Sequence, residues 1–207
     1  MSKMLNGLKK IMIFSVVLLL LCGIIYPLVV TGISQVLFPN KANGSIIEVN
    51  GKEVGSELVG QDFTDERFMK CRPSAVNYNT YTAEEKENGT YTGVRSGSDN
   101  YAPSNPDLIT RVEEDMAEFL QNNPDVKKED IPTDLLTASG SGLDPHISPE
   151  SAKIQVANLV KTTGLAEEEL LEIIDNNTKG KFLNIFGEET VNVLGVNLEI
   201  AKKIGVI

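Results

Sequence analysis

Apolar and polar positions divide this chain into two regimes. From Ile11 to Val30 it reads IMIFSVVLLLLCGIIYPLVV without a charged residue, and no charge follows until Lys41. A helix rises about 1.5 Å per residue, so this run spans roughly 30 Å, the hydrocarbon thickness of a bilayer. Gly23 and Pro27 would break a helix in water; a spanning helix tolerates both, because giving up its backbone bonds costs more in lipid. The pattern predicts a transmembrane helix over residues 11–33, a short tail over 1–10, and one compact domain over 34–207. A cleaved secretory signal is a rival reading, but its apolar core is usually about 7–15 residues and ends in a small-x-small site. Val30-Thr31-Gly32 is a poor one. A lipoprotein signal at Cys22 needs a small residue before the cysteine, and Leu21 is bulky. A retained anchor is the preferred reading.

Beyond the anchor the periods shorten. Ser45–Val49 reads as a strand, and Asn50-Gly51 supplies the positive φ angles of a type I′ turn, so Lys52–Val59 returns as the second strand of a hairpin. Phe63 and Phe68 flank an acidic turn, and Arg72-Pro73-Ser74 is extended. Asn77 to Pro106 shows no apolar period and reads as a long surface loop. Asn105 and Pro106 then form an N-cap and first helical position. Leu108, Ile109, Val112, Met116, Phe119 and Leu120 share one face of the helix, which ends at Asn122-Asn123-Pro124. Asp134–Thr137 is a short strand or turn. Ser148, Pro149 and Glu150 begin a second helix with Ile154, Ala157 and Val160 on its apolar face, closed by Gly164. A third helix carries Leu170, Leu171, Ile173 and Ile174 behind Glu167–Glu169, acids that suit its positive end. Val191–Val196 reads as a buried strand and Leu198–Ile204 as a short terminal helix. The class is α+β.

Charge orients the molecule. Lys3, Lys9 and Lys10 lie beside the span and favour the cytoplasmic side, which places the domain outside the cell. The chain carries a net charge of −10, but from Gly44 onward 15 basic residues face 29 acidic ones, a net −14. A domain so acidic excludes nonspecific binding to nucleic acid and adsorption to an anionic membrane surface. Cys22 lies in the span and Cys71 in the domain, so they form no intrachain disulfide, and Cys71 is expected as a small buried hydrophobe. With one histidine and two separated cysteines, no zinc-type cluster can be assembled and no metal is expected.

Ser139 to Ser148 gathers serines, glycines, an aspartate and the sole histidine. A serine hydrolase would use Ser141, Asp144 and His146, yet Ser139 occupies the first glycine position of the G-x-S-x-G elbow. A phosphate cradle would use the amides of Ser139-Gly140-Ser141-Gly142, yet no Walker lysine follows. The preferred reading is a rigid loop: glycines in left-handed turns, stiffening prolines, and Asp144 capping local amides.

Several ordered motifs resemble one family. They are GSELVGQDF (Gly55–Phe63), CRPSA (Cys71–Ala75), APSNPDL (Ala102–Leu108), TASGSGLDPHISPESA (Thr137–Ala152) and VNVLGVNL (Val191–Leu198). The family is the C subunit of the Kdp-type potassium-transporting P-type ATPase of bacteria and archaea, and the likeness covers nearly the whole chain. Residues Tyr78 to Val94 look like a looser or longer version of the family's loop. The resemblance implies an accessory, noncatalytic subunit of the prokaryotic plasma membrane. Its implied partners are a channel-like potassium subunit, a P-type ATP-hydrolysing subunit and a very small stabilising subunit. It implies no cofactor of its own, and a role as a catalytic chaperone that raises the ATP affinity of the hydrolytic subunit, with Ser139, Gly140, Ser141 and Gly142 as candidate nucleotide contacts. Within the motifs, Arg72, Pro73, Ser104, Asn105, Pro106, Asp144, Pro145 and His146 are expected to contact partners or shape loops. A domain outside the cell conflicts with direct contact to cytoplasmic ATP, and the lysine asymmetry favours the outside placement. An anchored extracellular binding protein or enzyme acting alone is the alternative.

Overall fold

The computed structural model describes residues 2–91 and 93–207. The chain divides after Ile46 into two units. The first is a continuous helical rod. Helix α1 (Ser2–Leu20) passes through one π turn (Leu21–Ile25) into α2 (Tyr26–Leu37), and a single turn, α3 (Pro39–Ala42), follows. The π turn lies where the sequence demands it. Pro27 has no N–H to offer the carbonyl four residues back, and the turn before it widens, with Tyr26 N–H donating to Leu21 O. The apolar side chains of the rod are exposed, and residues Met4–Leu37 make one helix of 34 residues, long and apolar enough to cross a membrane.

The second unit is the α+β domain. Strands β1 (Ile46–Val49) and β2 (Lys52–Ser56) pair as a hairpin. Its turn is Asn50-Gly51, with φ of 52° and 75°, the left-handed pair that a two-residue hairpin needs. The stretch expected as one loop contains more. A left-handed turn covers Asn77, Tyr78 and Asn79, with φ of 48°, 49° and 55°, and a short helix, α4 (Ala83–Glu87), follows. Thr82 and Glu85 close a full capping box on α4, a Thr-x-x-Glu signal present in the sequence. Helix α5 (Pro106–Asn122) starts on Asn105, whose Oδ1 accepts from Asp107 N–H at 2.8 Å.

The core forms around β3 (His146–Ile147), α6 (Pro149–Lys153), α7 (Val156–Thr163), α8 (Glu167–Asn176), β4 (Thr178–Lys179), β5 (Thr190–Asn192) and α9 (Val193–Lys203). The sheet order is β3-β5-β4, antiparallel throughout, with Ile147 and Thr178 both opposite Val191. Ile147, Val156, Leu159, Leu170, Ile173, Val191, Val193, Val196 and Ile200 pack on one another beneath it. Gly164 closes α7 at φ 75°.

Two expectations are corrected. Val191–Val196 is not one strand: the strand stops at Asn192, whose Oδ1 accepts from Gly195 N–H at 2.9 Å and caps α9, so the last helix begins at Val193 rather than Leu198. The helix expected from Ser148 to Gly164 is two helices, parted at Ile154-Gln155, where Gln155 N–H bonds back to Ala152 O at 3.2 Å. Gln155 is thereby turned inward.

Its side chain and that of Asn197 do a strand's work. Asn197 Oδ1 accepts from Met69 N–H at 2.7 Å and its Nδ2 donates to Met69 O at 2.9 Å. Gln155 Oε1 accepts from Lys70 N–H at 2.8 Å and its Nε2 donates to Lys70 O at 3.3 Å. Two buried amides thus satisfy the backbone of an extended segment outside any sheet, as burial requires. They fix the approach to Arg72.

Candidate functional site

The serine–glycine loop is a closed clasp. Ser139 is buried, and its Oγ accepts from Gly142 N–H at 2.9 Å; Ser141 Oγ accepts from Leu143 N–H at 3.1 Å. Those two amides are therefore occupied by the loop's own hydroxyls. Gly142 sits at φ 66°, and a Cβ there would meet Gly97 O at 2.8 Å and Val76 Cγ2 at 2.8 Å. Gly140 is exposed and a Cβ on it would meet nothing within 4 Å.

Three distant segments hold the clasp. Ser74 Oγ donates to Gly142 O at 2.6 Å while accepting from the N–H groups of Val76 and Tyr78. Gly97 N–H and Ser96 Oγ donate to Ser141 O at 2.8 and 3.0 Å. Gly60 N–H donates to Leu143 O at 2.9 Å, an approach that admits no side chain, because a Cβ on Gly60 would lie 2.6 Å from Asp144 O. Tyr78, bulky for the left-handed region, is held there by its hydroxyl, which donates to Arg72 O at 2.7 Å.

Arg72 and Asp144 close the lower side. Arg72 Nη1 lies 3.2 Å from Asp144 Oδ2, and its Nε donates to Thr137 O at 3.3 Å. Asp144 Oδ1 accepts from His146 N–H at 3.0 Å, with the ring Nδ1 3.6 Å away. The His146 ring and N–H, together with the Arg72 guanidinium, hold the Asp144 carboxyl below the usual carboxylate range against the opposing effect of burial. Cys71, half-buried rather than fully so, has its thiol pushed up to about 12 by burial, and it is a protonated, unreactive sulfur. Burial likewise raises the Tyr78 phenol.

The remaining expected residues fall around this frame. Pro145 is buried and its carbonyl accepts from Val193 N–H at 3.0 Å, tying the clasp to α9. Pro73 lines a cleft of about 440 Å³ with Arg72, Ser74, Phe63, Phe68 and Phe119. Ser104, Asn105 and Pro106 stand apart at the start of α5, which reaches the clasp's approach through Arg111, bonded to Leu136 O at 3.2 Å. Ser141 and His146 share no hydrogen bond among the described residues, so the loop builds no nucleophile–base pair. Among the described residues, no group of three His, Cys, Asp or Glu side chains converges as for a metal ion.

Sequence reasoning missed Asp134. Its carboxylate accepts from Ser148 N–H at 2.7 Å, Ser148 Oγ at 3.2 Å and Ser151 Oγ at 2.6 Å, and so anchors the exit of the clasp at the cap of α6. Nothing local to Asp134 signals this. Gln155 and Asn197 were legible in principle as amides set among apolar neighbours in the sequence.

Fold and loop together define a class: among the described residues, one apolar helix able to cross a membrane, followed by an α+β domain with an externally stapled glycine loop. Residues 8–202 match the family described as KdpC, K+-transporting ATPase, c chain. The chain belongs to that family. It is 64% identical over 205 residues to the potassium-transporting ATPase KdpC subunit of Clostridium kluyveri, covering 99% of this chain and 98% of that one. The protein of the same name from Clostridioides difficile is 58% identical over 205 residues, covering 97% and 99%. That of Caldanaerobacter subterraneus is 47% identical over 197 residues, covering 95% of each.

Proposed function

We propose that the chain is an accessory subunit of an ATP-driven potassium uptake complex in a prokaryotic plasma membrane, acting in assembly and not in bond chemistry. The observation that carries this reading is the full-length likeness to subunits named for that ATPase, on a chain with one apolar helix ahead of its domain. Residues 11–33 cross the membrane, the lysine-bearing tail 1–10 lies in the cytoplasm, and 34–207 lies outside. Its partners are the channel-like potassium subunit, the P-type hydrolytic subunit and the small stabilising subunit.

ATP is bound by the hydrolytic subunit, whose affinity this chain raises through subunit contact. The hold of Ser74 on Gly142 O, of Ser96 and Gly97 on Ser141 O and of Gly60 on Leu143 O, with the Gly142 amide taken by Ser139 Oγ, supports a loop shaped for rigidity. The domain's net −14 concentrates cations near the outer end of the potassium path.

The test is purification of the complex from cells with and without this chain. The expected result is co-purification of all subunits with it; without it, the stable complex is lost and potassium-stimulated ATP hydrolysis falls at least tenfold at low ATP. A chain that leaves the membrane alone, with the ATPase unchanged in its absence, contradicts the reading and favours an anchored protein acting by itself.

A further inference from the structure

Between β4 and β5 the chain makes a tip that neither the core nor the clasp uses. Phe182 and Phe186 pair as an antiparallel bridge, Phe182 N–H donating to Phe186 O at 2.8 Å and Phe186 N–H to Phe182 O at 3.0 Å. Leu183 and Asn184 turn the chain with φ of 53° and 57°. At its base Lys181 Nζ lies 3.2 Å from Glu188 Oε2. On this frame Phe182 is 71% exposed, Leu183 70%, Ile185 73% and Phe186 62%.

Single exposed apolar residues need no explanation, but four within five positions do. Together they present on the order of 500 Å² of apolar surface, the size of patch that marks an interaction site. The tip's backbone bonds fix its shape before any encounter, so docking orders little.

We infer that this tip is a preformed knob that enters an apolar pocket on another subunit of the same transport complex. The inference rests on the reading of the chain as an accessory subunit. Charge selects a protein pocket over the bilayer surface. Lys179 and Lys181 are balanced by Glu188 and Glu189, so the tip lacks the basic fringe that anionic lipid attracts, and a domain of net −14 is repelled by such a surface. The pocket it fits has an apolar floor and a rim of mixed charge.

The test uses the full complex in native membranes. A photo-crosslinking benzoylphenylalanine replaces Ile185, and Phe182→Ser/Phe186→Ser is prepared separately. The expected results are a light-dependent adduct with another subunit and at least tenfold less co-purification of the double variant. Its own unfolding temperature stays within about 2 °C of the unaltered chain. Should the variant unfold early, the adduct alone decides. Adducts confined to lipid or to a second copy of this chain, no adduct, or a stable variant that co-purifies normally overturn the inference. Loss of co-purification by the unaltered chain sinks the subunit reading itself.

Discussion

Gly142 decides the shape of the clasp. Its left-handed φ and the 2.8 Å approach of Gly97 O leave no room for a methyl group. Gly142→Ala should cost about 2–4 kcal/mol, from the left-handed penalty plus overpacking, whereas Gly140→Ala should stay within about 0.5 kcal/mol. Denaturant unfolding of the two variants checks the contrast. Asp144 gives a pH signature. Its folded pKa lies below the unfolded value of about 3.9, so its stabilising contribution is fully present above that value and is lost as pH falls through the folded one. Asp144→Asn should therefore be about 1–3 kcal/mol less stable at neutral pH, a gap that closes in acid. Thermal unfolding across pH reads it; a gap that persists unchanged in acid contradicts the ion-pair account. At this scale the sequence disclosed the loop's own chemistry, including Asp144 beside the His146 amide. It could not disclose the staples. Ser74 is 68 positions from Gly142, Ser96 is 45 from Ser141 and Arg72 is 72 from Asp144, and only tertiary folding brings them together.

Among elements, Asn192 is the pivot. It ends β5, caps α9 and donates to Glu57 O at 2.9 Å. Asn192→Ala should cost about 1–2 kcal/mol by loss of the cap, measured by unfolding, with helical content reduced at the start of α9. Elements with local punctuation were legible: Asn50-Gly51 for the hairpin, Asn105-Pro106 for α5, and the acids in the first turn of α8. The missed ones show why pattern alone falls short. Val191–Val196 reads as a short, mostly apolar run of the kind a buried strand shows, but the Asn192 cap outweighs that reading, and the helix it starts buries Val193, Val196 and Ile200 on one face. Helix α4 was hidden in a polar run although Thr82 and Glu85 spell its capping box. The break at Gln155 has no sequence signal, because its reason is the backbone of Lys70, far away in the chain.

For the whole molecule, the contrast between the uncharged run Ile11–Val30 and a strongly acidic domain was plain in the sequence, while the apolar tip at Phe182–Phe186 was not. Four hydrophobes near a turn read equally well as core, and only the folded structure shows them unburied. The acidic domain predicts an electrostatic effect on transport. Neutralising several of its exposed acids should weaken apparent potassium affinity at low ionic strength, and the loss should vanish near 1 M salt, where screening acts within about 3 Å. Transport assays at two ionic strengths check it. Central to the account is the side of the membrane on which the domain lies, and cysteine labelling addresses that most directly. Val94 is 83% exposed, and the unreactive Cys71 gives little background. Val94→Cys should react with a membrane-impermeant thiol reagent in intact cells as fully as in opened ones. Labelling that appears only after the cells are opened would place the domain, and Ser139–Gly142 with it, beside cytoplasmic ATP and contradict the account.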